Sequence, residues 1–158
     1  MRILMTGFEP FGGERINPSW EAVSLLPGEI GGAEIVKRRL PVTYAGSEAA
    51  LAWLVGDLKP DYVIAAGQAG GRTGVAVECC AVNRDHSDRP DNAGETRTYA
   101  PISSAGAAAY FTDAPVERIV AAVRGAGLPC APSFFATSIA SLRVNEQRSL
   151  IAARSWEL

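Results

Sequence analysis

The residues best suited to contacting a small ligand lie where a short apolar run ends near the amino terminus. The run Ile3-Leu4-Met5 is long enough for one buried strand, and it leads into Thr6-Gly7-Phe8-Glu9-Pro10-Phe11-Gly12-Gly13. Glycine permits backbone angles that other residues avoid and proline fixes one more, so this loop is expected to be rigid. A strand that opens into a rigid loop with exposed Phe8 and Phe11 predicts a small-molecule site at the carboxyl end of a sheet. The alternative is a connector whose phenylalanines cap the core.

A second glycine-rich loop follows a second apolar run. Tyr62-Val63-Ile64-Ala65-Ala66 predicts a buried strand, and it runs directly into Gly67-Gln68-Ala69-Gly70-Gly71-Arg72. Two such loops at strand ends of one α/β chain are expected to converge on a single site. Neither loop has the Gly-x-Gly-x-x-Gly pattern or the Gly-Lys-Ser/Thr ending of a phosphate-binding loop, so a nucleotide fingerprint is absent.

Thiol chemistry is the main nucleophilic option that the residue types offer. The chain has three cysteines, Cys79, Cys80 and Cys130, and one histidine, His86. On a strand, Cys80 would share a face with Glu78, but a thiol attacks an amide usefully only with a lowered pKa or a nearby base, and His86 is the only histidine available. Cys130 is better explained as a small buried hydrophobe. An odd cysteine count without a Cys-x-x-Cys pair indicates a reducing, cytoplasmic setting, and no metal site is expected.

Bulk composition narrows the class of protein. A length of 158 residues suits one domain, and a content of 47% hydrophobic and 20% charged residues is typical of soluble globular proteins. The formal net charge is −2, without a basic stripe, so nucleic acid is not the expected partner. No apolar run approaches the ~20 residues of a membrane span, and the first apolar run is too short for a signal peptide.

The elements that must position these residues alternate between strand and helix. Apolar spacing predicts helices over 18–26, 47–58 and 115–126, strands over 3–5, 34–42, 62–66 and 75–82, and a long loop over 83–104. Asn17 suits the N-cap of the first helix, and Pro18 suits its first turn. The alternation predicts an α/β fold, a single-domain sandwich with a mostly parallel twisted central sheet and helices on both faces.

Several separate motifs resemble, in the same order, those of pyroglutamyl peptidase I, also called pyrrolidone-carboxylate peptidase. The first combines residues 6–13 with Asn17-Pro18. The second combines residues 67–72 with Glu78, Ala81 and Asn83. Two further stretches are Arg89-Pro90-Asp91-Asn92, and Ala109-Tyr110-Phe111 before Pro115. The resemblance runs from Met1 to about Ser133.

The resemblance implies an activity and a set of site residues. Members of the family are cytoplasmic thiol proteases of the omega-peptidase type that remove an N-terminal pyroglutamyl residue from peptides, and no cofactor is implied. By this resemblance, Phe8 and Phe11 form an apolar slot for the flat lactam ring, and the Gln68 segment offers backbone contacts. Glu78 would orient the histidine of a Cys-His-Glu group, as the third member of a catalytic triad does.

The nucleophile motif is where the chain departs from the family. A sequence close to Ser-x-Ser-Ala-Gly-x-Tyr-x-Cys-Asn is expected after Gly127-Leu128-Pro129, but residues 133–142 read Ser-Phe-Phe-Ala-Thr-Ser-Ile-Ala-Ser-Leu. Ser141 stands where the nucleophile would be, no histidine follows His86, and the nucleophile is therefore unknown. We expect this chain to have little or no peptidase activity. The alternative function is that of a catalytically dead pyroglutamyl-binding or vestigial protein, and a nucleoside-phosphorylase-like enzyme shares only the strand–loop architecture.

The carboxyl-terminal residues also change in character. We divide the chain into a pyroglutamyl-peptidase-like α/β domain over 1–133 and a divergent tail over 134–158, in which 145–153 is expected to form a short helix. The tail is interpreted as the result of a shifted reading frame or a truncated gene product. A missing strand and helix would leave a sheet edge or an apolar face uncovered, so a homo-oligomer is expected.

Overall fold

A computed structural model describes residues 1–70 and 73–134 and the backbone of residues 150–155. The strands, in chain order, are β1 (Arg2–Phe8), β2 (Glu29–Ile30), β3 (Ala33–Leu40), β4 (Tyr62–Gln68), β5 (Val75–Glu78), β6 (Cys80–Val82), β7 (Asp85–Ser87), β8 (Arg97–Ala100), β9 (Ala109–Phe111), β10 (Cys130–Ser133) and β11 (Leu150–Ser155). The helices are α1 (Pro18–Ser24), α2 (Tyr44–Leu58) and α3 (Val116–Gly125). None of the helices in this described part of the chain is long and apolar enough to cross a membrane.

Seven strands form one central sheet in the order β10-β5-β11-β4-β1-β3-β2. The pairs β11–β4, β4–β1, β1–β3 and β5–β10 are parallel, whereas β5–β11 and β2–β3 are antiparallel. Two short antiparallel ribbons, β6–β9 and β7–β8, lie outside this sheet. The predicted α/β fold with a mostly parallel central sheet is confirmed.

Two apolar clusters show which helix covers which face. Val63 of β4 is in one cluster with Leu51 of α2, and the next residue, Ile64, packs against a second cluster that contains Val77 of β5 and Val120 of α3. Because successive side chains of a strand point to opposite faces, α2 and α3 cover opposite faces of the sheet. This confirms helices on both faces.

Helix α1 docks through a glycine of the first strand. A Cβ atom on Gly7 would lie only 2.6 Å from the backbone Cα of Trp20, so glycine is what allows the helix to approach β1. Gly7 points away from Phe8 and α2, which places α1 on the face of α3. The predicted N-cap is confirmed, because the Asn17 side chain accepts a hydrogen bond from the Ser19 N–H at 3.0 Å.

Three expectations are wrong in detail. Residues 75–82 form not one strand but two, β5 and β6, which belong to different sheets. The expected loop over 83–104 contains the ribbon β7–β8, whose strands are too short to show a period in the sequence. Residues 150–153, expected to be helical, belong to β11, which pairs with β4 and β5 inside the central sheet; residues 145–149 lie outside the described residues. The division at 133/134 stays a prediction.

Candidate functional site

The carboxyl ends of β1 and β4 lie side by side, as two converging loops require. The parallel register pairs Thr6 with Ala65, so Phe8 is level with Gly67. A Cβ atom on Gly67 would lie 3.9 Å from the Phe8 ring, so this ring extends over the neighbouring strand. The expectation that Phe8 is exposed is wrong, because β1 continues through it and its side chain is buried in the cluster beneath α2.

Phe11, in contrast, lines a cavity of about 420 Å³. Three segments supply the walls: Phe11 and Gly12 after β1, Val42, Thr43 and Tyr44 between β3 and α2 together with Ser47, and Ser87, Arg89, Pro90 and Asp91 after β7. The volume falls within the ~300–1,000 Å³ typical of small-molecule pockets. The lining residues include two aromatic residues, aliphatic side chains, hydroxyl-bearing residues and the charged Arg89 and Asp91, which suits a small, mainly apolar ligand with one or two polar atoms.

The Asp91 carboxylate, in the third wall of the cavity, is hydrogen-bonded to backbone N–H groups. Asp91 accepts hydrogen bonds from the N–H groups of Tyr44 at 2.9 Å, Ala93 at 2.8 Å and Glu95 at 2.9 Å. Burial works to raise the pKa of Asp91, but these three donors and the nearby Arg97 outweigh it and hold the pKa below its usual value. Asp91 therefore carries its charge as a structural group, and its acceptor sites are largely used within the protein.

Gln68 ends β4, where it is partly buried. Because Gly67 faces Phe8, the alternation of a strand directs Gln68 towards the opposite face of the sheet. It is level with Ser155, the last described residue of β11. Gln68 does not line the cavity beside Phe11, and Gly71 and Arg72 of its loop lie outside the described residues.

Glu78 ends β5 and is almost completely buried, with 2% of its surface exposed. It follows Val77, which packs beneath α3, so its side chain is directed to the α2 face that Phe8 shares. Extending the strand register across β11 and β4 places Glu78 level with Thr6. Two strands stand between β5 and β1, which separates Glu78 from β1 by about 14 Å at the usual strand spacing. Glu78 is not among the residues that line the cavity beside Phe11.

The three thiols are all free and buried. Cys130 packs in the cluster beneath α3, which agrees with its interpretation as a small buried hydrophobe. The ring of His86 stacks on that of Tyr99 with the centroids 4.1 Å apart, on the ribbon β7–β8. Within residues 1–70, 73–134 and 150–155, His86 makes no hydrogen bond to a cysteine. Ser141 lies outside the described residues.

A second cavity, of about 560 Å³, lies between α3 and the strands β9 and β10. Cys79, Val120 and the largely exposed rings of Phe111 and Phe134 are among its lining residues. No group of three or more His, Cys, Asp or Glu side chains that could hold a metal ion occurs among the residues whose positions are described.

The sequence interpretation missed two of the three walls of the cavity beside Phe11. Residues 42–44 precede the helix that was expected to begin at Ser47, although Thr43 is of a type favoured at an N-cap. Ser87 was assigned to the long loop over 83–104, in which only Arg89-Pro90-Asp91-Asn92 was noted, for its family resemblance. Contact between these segments and Phe11 arises only in the folded chain, since they are more than 30 residues away from it in sequence.

Known proteins provide an independent comparison. The family model described as pyroglutamyl peptidase matches residues 1–140. A pyrrolidone-carboxylate peptidase of Thermococcus onnurineus (strain NA1) is 53% identical over 133 residues, which are 84% of this chain and 66% of the relative. One from Erwinia tasmaniensis is 50% identical over 133 residues, 84% of this chain and 62% of the relative. The chain thus spans just under two thirds of the length of these curated relatives.

Solved structures give the same result for the fold. The pyroglutamyl peptidase I of Bacillus amyloliquefaciens superposes with a TM-score of 0.87 at 36% identity, covering 96% of this chain and 79% of that one. A mutant pyrrolidone carboxyl peptidase from Pyrococcus furiosus gives a TM-score of 0.88 at 32% identity, covering 96% of this chain and 80% of that one.

Proposed function

Because the chain belongs to the pyroglutamyl peptidase family, we propose that the cavity beside Phe11 binds the pyroglutamyl residue at the amino terminus of a peptide. The observation that carries this proposal is the position of Phe11. The loop that resembles the family in sequence supplies one wall of a cavity of about 420 Å³, which has the size of a ligand pocket.

The chemistry of the walls fits a lactam. A pyroglutamyl ring is small, flat and uncharged, with one N–H donor and one C=O acceptor, so it needs apolar walls and one or two polar contacts. Phe11, Val42 and Pro90 supply apolar surface. We assign the polar contact to Thr43, which lines the cavity and whose side chain makes no cap hydrogen bond to α2.

The other predicted site residues take supporting roles in this proposal. Phe8 packs beneath α2 against Gly67 and so fixes the start of the loop that carries Phe11. The family resemblance gives Gln68 a contact with the lactam through its segment and gives Glu78 the orientation of the catalytic base; both roles stay proposals, since neither residue lines the cavity beside Phe11. The burial of Glu78 on the α2 face supports a positioning role rather than that of a solvated surface carboxylate.

We further propose that the 158-residue chain binds such peptides but turns them over slowly or not at all. Its cysteines are buried, and its histidine stacks on Tyr99 rather than bonding to a thiol in the described part of the chain. A site of this type without a paired nucleophile and base retains at best ~10³–10⁴-fold catalysis over water. An active peptidase is the alternative, favoured by the family membership itself.

A chromogenic assay separates these two functions. We expect the purified chain to release no thiol-dependent p-nitroaniline from L-pyroglutamyl-p-nitroanilide, while it binds the small probe L-pyroglutamamide. The Bacillus amyloliquefaciens enzyme is the positive control, and pretreatment with a thiol-alkylating reagent identifies cysteine-dependent turnover. Release comparable to that of the control, and abolished by alkylation, would show that the chain is an active peptidase.

The cellular setting and the assembly are part of the same proposal. Three free cysteines favour the reducing cytoplasm, and the exposed rings of Phe111 and Phe134 favour a homo-oligomer that covers them. Size-exclusion chromatography with light scattering tests the second point, because a monomer at micromolar concentration would contradict it.

A further inference from the structure

We propose that Glu9, Asp91 and Asn92 form a clasp that holds the three walls of the cavity in their binding geometry, with Asn92 as its central positioning residue. This inference rests on the proposed function, since it assigns the residues that keep the pyroglutamyl pocket in shape. All three lie in stretches that resemble the family, but no role was assigned to any of them from the sequence.

Asn92 connects the loop after β1 with the segment between β3 and α2. Its side-chain amide donates to the Glu9 carboxylate at 3.1 Å and to the Pro10 carbonyl at 2.9 Å. Its backbone N–H donates to the Val42 carbonyl at 2.9 Å. Glu9 completes the connection, because the same Oε1 atom accepts the Val42 N–H at 2.9 Å.

Asp91 connects the third wall with the first turn of α2. One carboxylate oxygen accepts the Tyr44 N–H, and the other accepts the Ala93 and Glu95 N–H groups of its own loop. The backbone N–H of Asp91 donates to the Glu95 carbonyl at 2.9 Å. The Asp91 carboxylate therefore both stabilises the turn over residues 91–95 and attaches this turn to α2.

These contacts join residues that are far apart in sequence at the place where the cavity forms. Asn92 and Pro10 are 82 residues apart, yet the neighbours of both, Asp91 and Phe11, line the cavity. Asn92 itself does not line the cavity and is exposed to solvent. It therefore acts on a ligand only through the position of the walls.

Because Asn92 is exposed to solvent, we expect the clasp to control ligand affinity and not the global stability of the fold. Hydrogen bonds that water can replace contribute little to global stability, and the core beneath α2 does not include Asn92. Opening the clasp leaves the fold intact but reduces the fraction of molecules whose cavity is formed, and the apparent affinity falls in proportion to that fraction.

A donor–acceptor exchange tests the clasp. Asn92→Asp replaces the amide donor with a carboxylate that faces Glu9, so we expect the dissociation constant for L-pyroglutamamide to rise about tenfold at neutral pH. The double variant Glu9→Gln/Asn92→Asp removes the repulsion between the two carboxylates, but the Pro10 carbonyl still lacks its donor, so we expect binding to recover only in part, to within about fivefold of the original. Arg84→Ala is the matched control. It removes an exposed side-chain hydrogen bond to the Tyr99 carbonyl in the same 83–104 segment, and Arg84 does not line the cavity.

Titrations followed by ¹H–¹⁵N NMR, with melting temperatures of all variants, give the readout. The clasp is supported if Asn92→Asp binds weakly while melting within about 2–3 °C of the original chain, and if the double variant recovers part of the lost affinity. If the original chain binds and Asn92→Asp binds equally well, or if the double variant is no better than the single one, the clasp is overturned while the pocket stands. If the original chain does not bind L-pyroglutamamide, the proposed function fails, and the clasp fails with it.

Discussion

Asp85 is a side chain whose charge the fold accommodates poorly. It is 6% exposed, and in the described part of the chain its Oδ1 atom has no hydrogen-bond partner. Burial raises its pKa to about 6; Arg97 opposes the rise, and the carboxylates of Glu48 and Glu95 add to it. The folded state therefore favours the protonated form. The stability contributed by Asp85 is present below the unfolded pKa of about 4 and is lost as the pH rises through about 6.

Removing this charge should stabilise the chain in a pH-dependent manner. We expect Asp85→Asn to raise the melting temperature by about 2–4 °C at pH 7.5, where the native carboxylate is ionised, and to change it little at pH 4. Differential scanning calorimetry at the two pH values measures the difference. An equal shift at both values would show that the substitution acts through packing and not through ionisation.

At the scale of the element, the glycine of β1 has a steric role that can be tested directly. We expect Gly7→Ala to destabilise the fold by about 1–3 kcal/mol or more, because the new methyl group would press on the Trp20 backbone and push α1 away from the sheet. Urea unfolding measures the loss.

Gly56 provides the matched control for this substitution. It lies inside α2, and apart from the nearby backbone of the helix itself no described atom lies within 4 Å of the place that an alanine methyl group would take. Gly56→Ala should therefore stabilise the chain by about 0.5–1 kcal/mol through helix propensity. If both substitutions had the same sign, the docking of α1 would not depend on close approach at Gly7.

The elements that could be predicted from sequence are those with strong local signals. Asn17 and Pro18 mark the start of α1, and the apolar spacing of Leu51 and Leu54 identifies the buried face of α2. The ribbons could not be predicted, because strands of three or four residues with polar side chains have no measurable period. Phe8 was assigned to a loop because it lies in the glycine- and proline-rich stretch after Met5, whereas pairing with β3 extends β1 through Phe8.

At the scale of the whole molecule, parallel pairing was predictable but the composition of the site was only partly so. Strand–helix alternation indicated that the loops after β1 and β4 would lie together, and the two strands that lead into these loops are adjacent and parallel. The sequence did not reveal that β11 lies between β4 and β5. Because β11 and β4 both separate β5 from β1, Glu78 lies far from Phe8. Nor did it reveal that Tyr44 and Pro90 face Phe11, since such contacts depend on how distant segments pack.

The most direct test of the proposed pocket compares two phenylalanines in a titration with L-pyroglutamamide. Phe11 lines the cavity assigned to the lactam, whereas Phe111 is exposed and lines the cavity beside α3. We predict that Phe11→Ala raises the dissociation constant about tenfold or more, the effect of losing ~1.4 kcal/mol of contact, while Phe111→Ala leaves it unchanged. Unaltered binding by Phe11→Ala, or a loss confined to Phe111→Ala, would contradict the placement of the pyroglutamyl site.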